Sequence, residues 1–201
     1  MVKLKFIVEQ SFIEIVYNMN IFVLDENTEL AAQMHCDKHV PKMIVESAQM
    51  LSTAHRILDG EEYIAPSKSG KRMVKHYRLS NHDDVIYRAV HAGHPCTKWT
   101  MQSSGNYHWH YNLFRELAKE FEFRFGKVHR SWEILRSILS ICPRNIPSFG
   151  RSKYAKAMKA YPDIECIDNP VEAYQQFYMA DKAEFATWDK GRAAPSWWFN
   201  K

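Results

Sequence analysis

Helical periodicity dominates the pattern of hydrophobic and polar residues along this chain. Residues 28–58, 97–125, 128–141 and 170–188 are predicted as long helices, and residues 82–92 as a short one. The apolar segment NIFVL at 20–24 predicts a short buried strand before the first helix. Residues 59–72 and 142–150 are rich in Gly, Ser, Pro and charge, which predicts loops. The pattern therefore predicts a mostly α fold, a single-domain helical bundle with one short N-terminal strand.

Specific residues predict where these helices begin, bend and end. Pro41 lies inside the first helix, where its missing N–H and its ring predict a kink or a break. Gly126 is suited to cap the end of the helix 97–125. The sequence Asn169-Pro170-Val171-Glu172 combines a capping side chain, a proline in the first turn and an acidic residue, which predicts a helix start.

The first eighteen residues differ in character from the rest of the chain. Two lysines and then apolar residues are reminiscent of a signal peptide, but Glu9 and Glu14 interrupt the apolar run, which is too short to span a bilayer. Met19 is itself a credible beginning. We therefore predict an N-terminal extension over 1–18, with an extra edge strand as the alternative, and a single helical domain over 19–201.

Composition narrows the class of protein. The 201 residues are 46 % hydrophobic and 25 % charged, as in ordinary globular proteins, and only 7 Gly and 8 Pro disfavour a turn-rich all-β fold. The four cysteines, at positions 36, 96, 142 and 166, form no CxxC pair, which excludes a zinc ribbon and argues against a disulfide framework. A cytoplasmic location (the host cytoplasm if the protein is viral) and no membrane partner are predicted.

Positive charge is concentrated between residues 124 and 159. This segment holds nine Lys or Arg and a single acidic residue, Glu133, although the whole chain carries only +4. Aromatic residues lie among the cations, as in proteins that bind a polyanion and stack its bases. The alternative is a solvated face balanced by the acidic last helix. The residues predicted to bind nucleic acid are Arg144, Arg151, Lys153, Lys156 and Lys159.

A line of polar residues on the first predicted helix predicts a catalytic site. His35, His39, Lys42 and Glu46 recur at steps of four, three and four, which places them on one helical face. Imidazoles exchange protons near neutral pH, and a lysine can hold phosphate or act as a nucleophile. We predict these four and His94 as catalytic residues, with no cofactor. The alternative is a divalent metal bound by His35, His39 and Glu46, which the cation of Lys38 between the histidines opposes.

Other polar and aromatic residues are candidates for holding the substrate. His94 and Trp99 flank a predicted helix start, where anions bind readily, and Asn106 and His110 continue a line of core positions on the next helix. The C-terminal tail carries a cation and paired tryptophans with no helical need for them. The predicted substrate-binding residues are Lys38, Trp99, Asn106, His110, Arg192 and Trp197.

Several blocks together resemble an uncharacterised family of small proteins from tailed phages and large DNA viruses. The blocks are the sequence from Asn20 to His55, HPCTKWTMQSSGNYHW, FRFGKVH, and AYQQFYMADKAEFATW with the later PSWW. The resemblance covers residues 19–198, and Pro41 departs from the aliphatic residue of the family pattern. It implies an intracellular, phage-type setting but no established activity. It also implies a polar cluster formed by His35, Asp37, Lys38, His39, Lys42 and His94.

These residues support three functional hypotheses. The leading one is a small enzyme acting on a phosphate-bearing substrate, DNA or a nucleotide, in which His35 and His39 exchange protons and Lys42 holds phosphate or attacks a sugar carbon, as in glycosylase/lyase repair. The second is a metal-dependent hydrolase using the two histidines with Glu46 and His94. The third is a non-enzymatic module that binds nucleic acid or a host protein.

Overall fold

A computed structural model describes residues 19–67 and 69–199, so the predicted extension 1–18 lies outside the described residues. The mostly α prediction is confirmed. The helices are α1 Thr28–Met34, α2 His39–Asp59, α3 Pro95–Gln102, α4 Ser104–Phe125, α5 Arg130–Leu139, α6 Pro162–Glu165 and α7 Pro170–Lys182, followed by a 3₁₀ turn Ser196–Phe199. Two strands, β1 Glu61–Pro66 and β2 Met73–Arg78, form an antiparallel hairpin between α2 and α3. In these ranges, no helix is long and apolar enough to cross a membrane.

The first predicted helix is broken, but before Pro41. Helix α1 ends at Met34, and α2 begins at His39, so that Pro41 occupies the first turn of α2. A proline is tolerated there because the first amides of a helix have no helical acceptor. His35 has an extended backbone and lies outside α2, so it does not continue the helical face of His39, Lys42 and Glu46.

The predicted N-terminal strand is wrong. Residues 19–24 are buried, but they form no strand with any described segment. The amide of Asn20 donates to the Glu46 carboxylate, and its side-chain oxygen accepts from the amides of Ile21 and Phe22. Side chains thus replace the partner strand, and Phe22 adopts a φ of 48°, which is uncommon outside glycine.

The segment after α2 also differs from the sequence prediction. Residues 61–66, within the predicted loop 59–72, form a strand that pairs with residues 73–78, and residues 82–92 contain no helix. The buried guanidinium of Arg56 accounts for the second difference. It donates to the carbonyls of Tyr77, Asp83, Ile86 and Tyr87, so three carbonyls of the predicted helix bind a side chain instead of a helical amide.

The remaining helix predictions hold with changed boundaries. The predicted helix 97–125 is divided at Ser103, whose extended backbone and side-chain oxygen cap α4. Helix α4 ends at Gly126 with φ 66°, and α7 begins at Asn169 and Pro170, both as predicted. Helix α7 ends at Lys182 rather than 188. Helix α2 packs against α3, α4 and α5, and buried residues from all four elements join one hydrophobic cluster.

Candidate functional site

The two predicted catalytic histidines lie in a buried aromatic environment. His35 and His39 are 0 % and 1 % exposed, and their ring centroids are 6.5 Å apart. The rings of Phe22, Tyr178 and Phe185 surround His39 at centroid distances of 5.1, 5.1 and 5.3 Å. Both imidazoles that were predicted as catalytic are thus buried among aromatic rings and closed to solvent.

Burial also sets the charge of these imidazoles. Desolvation lowers the pKa of His35 to about 4. Desolvation and then the neighbouring His35, Lys182 and Lys42 lower the pKa of His39 to about 2. Nδ1 of His35 contacts the Ala31 carbonyl at 2.7 Å, whereas Nε2 of His35 and Nδ1 of His39 have no hydrogen-bond partner among the described residues. Both rings are therefore neutral near pH 7.

Lys42 and Glu46 form the reachable part of the polar line. Nζ of Lys42 lies 3.3 Å from Oε1 of Glu46, and the lysine side chain is 35 % exposed. Oε2 of Glu46 accepts a 3.0 Å hydrogen bond from the amide of Asn20. Lys42 and the buried carboxylate thus form a fixed pair at the edge of the protein surface.

A chain of contacts connects this pair to His94. The side-chain oxygen of Asn20 lies 3.7 Å from Sγ of Cys96, and Nδ1 of His94 accepts from the Cys96 amide at 3.2 Å. His94 is therefore the N-cap of α3, and burial lowers the pKa of its imidazole. The structure brings Lys42, Glu46 and His94 into one network through two residues, Asn20 and Cys96, that sequence reasoning did not select.

An open groove lies beside α3. It has a volume of about 530 Å³ and lies between α3 and residues 153–155. The lining residues are Pro95, Lys98, Trp99, Met101, Gln102, Lys153 and Ala155, and we name it the Trp99 groove. Nε1 of Trp99 donates to the Lys153 carbonyl at 3.0 Å, which ties its two walls together. Two predicted residues, Trp99 and Lys153, thus meet across 54 residues of sequence.

Asn106 and His110 form hydrogen bonds with the segments that make up the groove. The Asn106 amide donates to the Trp99 carbonyl and to the Ser152 hydroxyl, and its oxygen accepts from the Ser152 amide. Asn106 therefore positions both walls. His110 is fully buried against the Thr100 hydroxyl at 2.8 Å, and desolvation lowers its pKa to about 3. Neither residue lines the groove, in contrast to their predicted role as substrate contacts.

The predicted basic residues occupy different environments. Lys153 lines the groove, and Arg144 and Lys159 are exposed. Arg151 pairs with Glu26 and lies over the Tyr154 ring. Lys156 instead donates to the backbone carbonyls of Glu165 and Ile167. Of the five predicted cations, Lys156 thus stabilises the fold through its ammonium group.

The C-terminal tail packs on His39 and on the turn before it. We name residues 184–199 the C-terminal strap. Its Phe185 ring packs on His39, and the Thr187 carbonyl accepts from the Asp37 amide at 2.8 Å. The Asp189 amide donates to the Asp37 carboxylate at 2.6 Å. Lys38, predicted to bind substrate, lies 4.8 Å from the Phe185 ring.

Arg192 and Trp197 fasten the strap. Arg192 donates through two nitrogens to the Glu120 carboxylate, each at 2.9 Å, and lies over the Phe123 ring. Trp197 is buried, and its Nε1 lies 3.4 Å from the sulfur of Met34. The sequence predicts both residues as substrate contacts, and in the structure both bind the body of the protein.

Sequence reasoning missed the buried ion-pair network beneath the strap. The Arg124 side chain is 0 % exposed and binds the carboxylates of Glu120 and Asp37 and the carbonyls of Gln33 and His35. In the sequence, Arg124 stands out only as a member of the basic segment. Its spacing of four from Glu120 on α4 was the available signal.

Within residues 19–67 and 69–199, no group of three or more His, Cys, Asp or Glu side chains is arranged to hold a metal ion. Comparison with protein-family models, curated proteins and solved structures finds no match to this chain.

Proposed function

We propose that this protein binds a phosphate-bearing ligand of the DNA or nucleotide class in the Trp99 groove. The observation that carries the proposal is the composition of the groove: an apolar surface with a lysine on each side. Lys98 projects from α3, and Lys153 belongs to the segment that forms the opposite wall. Apolar surface suits a base or sugar ring, and the two ammonium groups suit its phosphates.

Lys153 is available for such a ligand. Its partner Asp168 lies at 3.3 Å, but the two side chains are 65 % and 103 % exposed. An exposed pair of this kind contributes roughly 0–1 kcal/mol, so a phosphate can replace the carboxylate at small cost. Lys98 is exposed on α3.

Fluorescence polarisation of a labelled single-stranded DNA of 15 nucleotides tests this proposal. We expect the double variant K98E/K153E to weaken binding at least tenfold, because both groove cations become repulsive. The matched control is K127E/K190E, which changes the net charge equally at two exposed lysines outside the groove lining. Equal loss in both variants would indicate a general charge effect, and no binding by the unmodified protein would refute the proposal.

Lysine chemistry at the Lys42–Glu46 pair is the second candidate function. It is favoured by the 3.3 Å approach of Nζ to a carboxylate that the Asn20 amide holds in place. Glu46 can accept a proton from the ammonium group, which leaves the amine free to attack a carbon. The groove residue Pro95 is adjacent to Cys96, which links the groove to Glu46 through Asn20.

The reacting centre that we propose is C1′ of a damaged nucleoside in DNA. The Lys42 amine forms a bond to C1′ while the bond between C1′ and the base breaks, and the base leaves with the proton that Glu46 had accepted. The sugar ring then opens as the bond between C1′ and O4′ breaks. O4′ takes a proton from the attached nitrogen, which leaves an iminium between Lys42 and C1′.

Borohydride tests this step because it reduces the iminium to a stable amine. With an oligonucleotide containing an abasic site, whose C1′ hydroxyl leaves as water in place of the base, we expect a covalent adduct that is absent in K42A and retained in K38A, the exposed lysine nearby. Absence of an adduct with retained binding in the groove would refute lysine chemistry and support the non-enzymatic binding hypothesis. An activity abolished by EDTA would instead support the metal-dependent hydrolase.

A further inference from the structure

The β1–β2 hairpin projects from the helical part of the protein. In the described part of the chain, α2 is the helix that its strands contact extensively. It is fixed at its base, where Arg56 donates to the Tyr77 carbonyl at 2.7 Å. Beyond that point its apolar side chains face solvent: Ile64 is 56 % exposed and Met73 60 % exposed. A two-stranded hairpin is marginally stable alone. The exposed apolar residues on this one therefore indicate a binding surface.

Cations concentrate toward the free end of this hairpin. Lys71 and Arg72 are exposed in the turn, which the left-handed backbone of Gly70 and the bond from the Ser67 amide to the Arg72 carbonyl close tightly. The carboxylates of the hairpin are at the other end, at Glu61 and Glu62. The free end is therefore positive, whereas nearer the base Arg78 lies opposite Glu61 and Lys75 pairs with Glu62, so that these charges balance.

The base of the hairpin lies beside the basic segment 124–159. The Asp59 carboxylate, two residues before β1, accepts from the amides of Arg144 and Asn145 at 2.8 and 2.9 Å. The exposed Arg144 therefore lies beside the hairpin base. Exposed cations at both places suit a ligand that is extended and negatively charged.

We propose that the hairpin enters the major groove of duplex DNA, with Lys71 and Arg72 on the phosphates that border the groove and Arg144 on the backbone beside it. This inference deepens the proposed function, since it names the form of nucleic acid and a surface separate from the Trp99 groove. Six-residue strands span about 20 Å, enough to cross a major groove about 12 Å wide and about 8.5 Å deep.

Two other occupants fit less well. A-form RNA has a deep, narrow major groove that does not admit a ribbon. A second copy of the chain would have to pair along a strand edge, but the strands carry Glu61, Glu62, Lys75 and Arg78, and charged residues discourage strand addition. Charge and shape together favour duplex DNA.

Binding of a labelled DNA duplex of 20 base pairs tests the proposal beside the single-stranded 15-mer. We expect K71E/R72E to weaken duplex binding at least tenfold and to reduce its salt dependence by about two phosphate contacts, each worth about 0.9 in the slope of log K against log salt. Single-strand binding should change less than threefold. The control K127E/K190E should change neither, and circular dichroism should show unaltered helix content in every variant.

The outcomes separate this inference from the proposed function. Selective loss of duplex binding in K71E/R72E supports the hairpin surface. Unchanged duplex binding in K71E/R72E, or no duplex binding by the unmodified protein, overturns the hairpin inference. In either case, single-strand binding that depends on Lys98 and Lys153 would still support the groove proposal. Equal affinity for an RNA duplex, lost in the same variant, overturns the major-groove geometry.

Discussion

Gly105 lies so close to Arg151 that a Cβ atom on Gly105 would come within 2.4 Å of the Arg151 backbone nitrogen. The Gly105 amide donates to the Phe149 carbonyl, and the Ser104 amide to the Pro147 carbonyl. The first amides of α4, which have no helical acceptor, are thus satisfied by a loop. Because the same loop continues to Lys153, this close packing positions one wall of the Trp99 groove.

Substitution of Gly105 by alanine should therefore disturb both stability and binding. We expect Gly105→Ala to lower the free energy of unfolding by about 1–3 kcal/mol, as overpacking does, and to weaken single-strand binding. Gly150→Ala is the matched control, since a Cβ atom there would meet nothing within 4 Å. Urea unfolding and polarisation measure the two effects. Equal behaviour of the variants would contradict the packing argument.

Acid should destabilise the protein through its buried histidines. The pKa of His39 is lowered to about 2 by desolvation, so the unfolded chain, with an ordinary pKa near 6.5, binds a proton that the folded protein excludes. Stability is then lost as the pH falls below about 6.5. Between pH 7 and pH 5 each such histidine contributes a loss of about 2 kcal/mol.

The variant His39→Phe isolates one part of that loss. It removes one site of proton uptake while keeping an aromatic ring beside Phe22 and Tyr178. Urea unfolding at pH 7 and pH 5 should show a pH effect smaller by about 2 kcal/mol than in the unmodified protein. His108→Gln, on the exposed side of α4, should leave the pH effect unchanged. An undiminished effect in His39→Phe would disprove the assignment.

Arg124 should be among the costliest cations of the basic segment to replace. Arg124→Met leaves the buried carboxylate of Glu120 with Arg192 alone and deprives the Asp37 carboxylate of its guanidinium. Breaking a buried pair costs about 3–5 kcal/mol. Arg130→Met removes a pair in which the arginine side chain is 77 % exposed and should cost less than about 1 kcal/mol. Comparable midpoints in urea for the two variants would contradict this difference.

The C-terminal strap should loosen when Arg192 is shortened. Arg192→Ala removes two hydrogen bonds to Glu120 and the contact with the Phe123 ring. We expect endoproteinase Lys-C to cleave after Lys190 at least fivefold faster than in the unmodified protein. The control Arg115→Ala removes a partly exposed arginine from Glu116, which keeps Lys119 as a partner, and should leave the cleavage rate unchanged. Equal rates in all three proteins would show that the strap does not depend on Arg192.

Local signals predicted the helices well, and nonlocal contacts explain the errors. The cap at Asn169, the proline after it and the glycine at 126 act within a few residues, so their effect is visible in sequence. The strand at 20–24 failed because its amides bind Glu46 and the Asn20 side chain. The helix at 82–92 failed because Arg56, far earlier in the chain, takes its carbonyls.

The candidate site was predicted in part for the same reason. The spacing of His39, Lys42 and Glu46 correctly placed them on one helix. Nothing in that spacing shows that Phe185 would cover His39, or that the walls of the groove would come from Lys98 and Lys153. Periodicity describes which way a side chain points, whereas accessibility depends on what is brought there from distant sequence.

The hydrogen bonds between the C-terminal strap and Asp37 have a consequence for biosynthesis. The bond between Asp189 and Asp37 joins residues 152 positions apart, and closing so long a loop is slow. While the ribosome is still making residues after α7, His39 lacks the Phe185 ring that packs on it in the folded protein. The nascent chain therefore completes the aromatic environment of His39 only when the residues after α7 have been translated and docked.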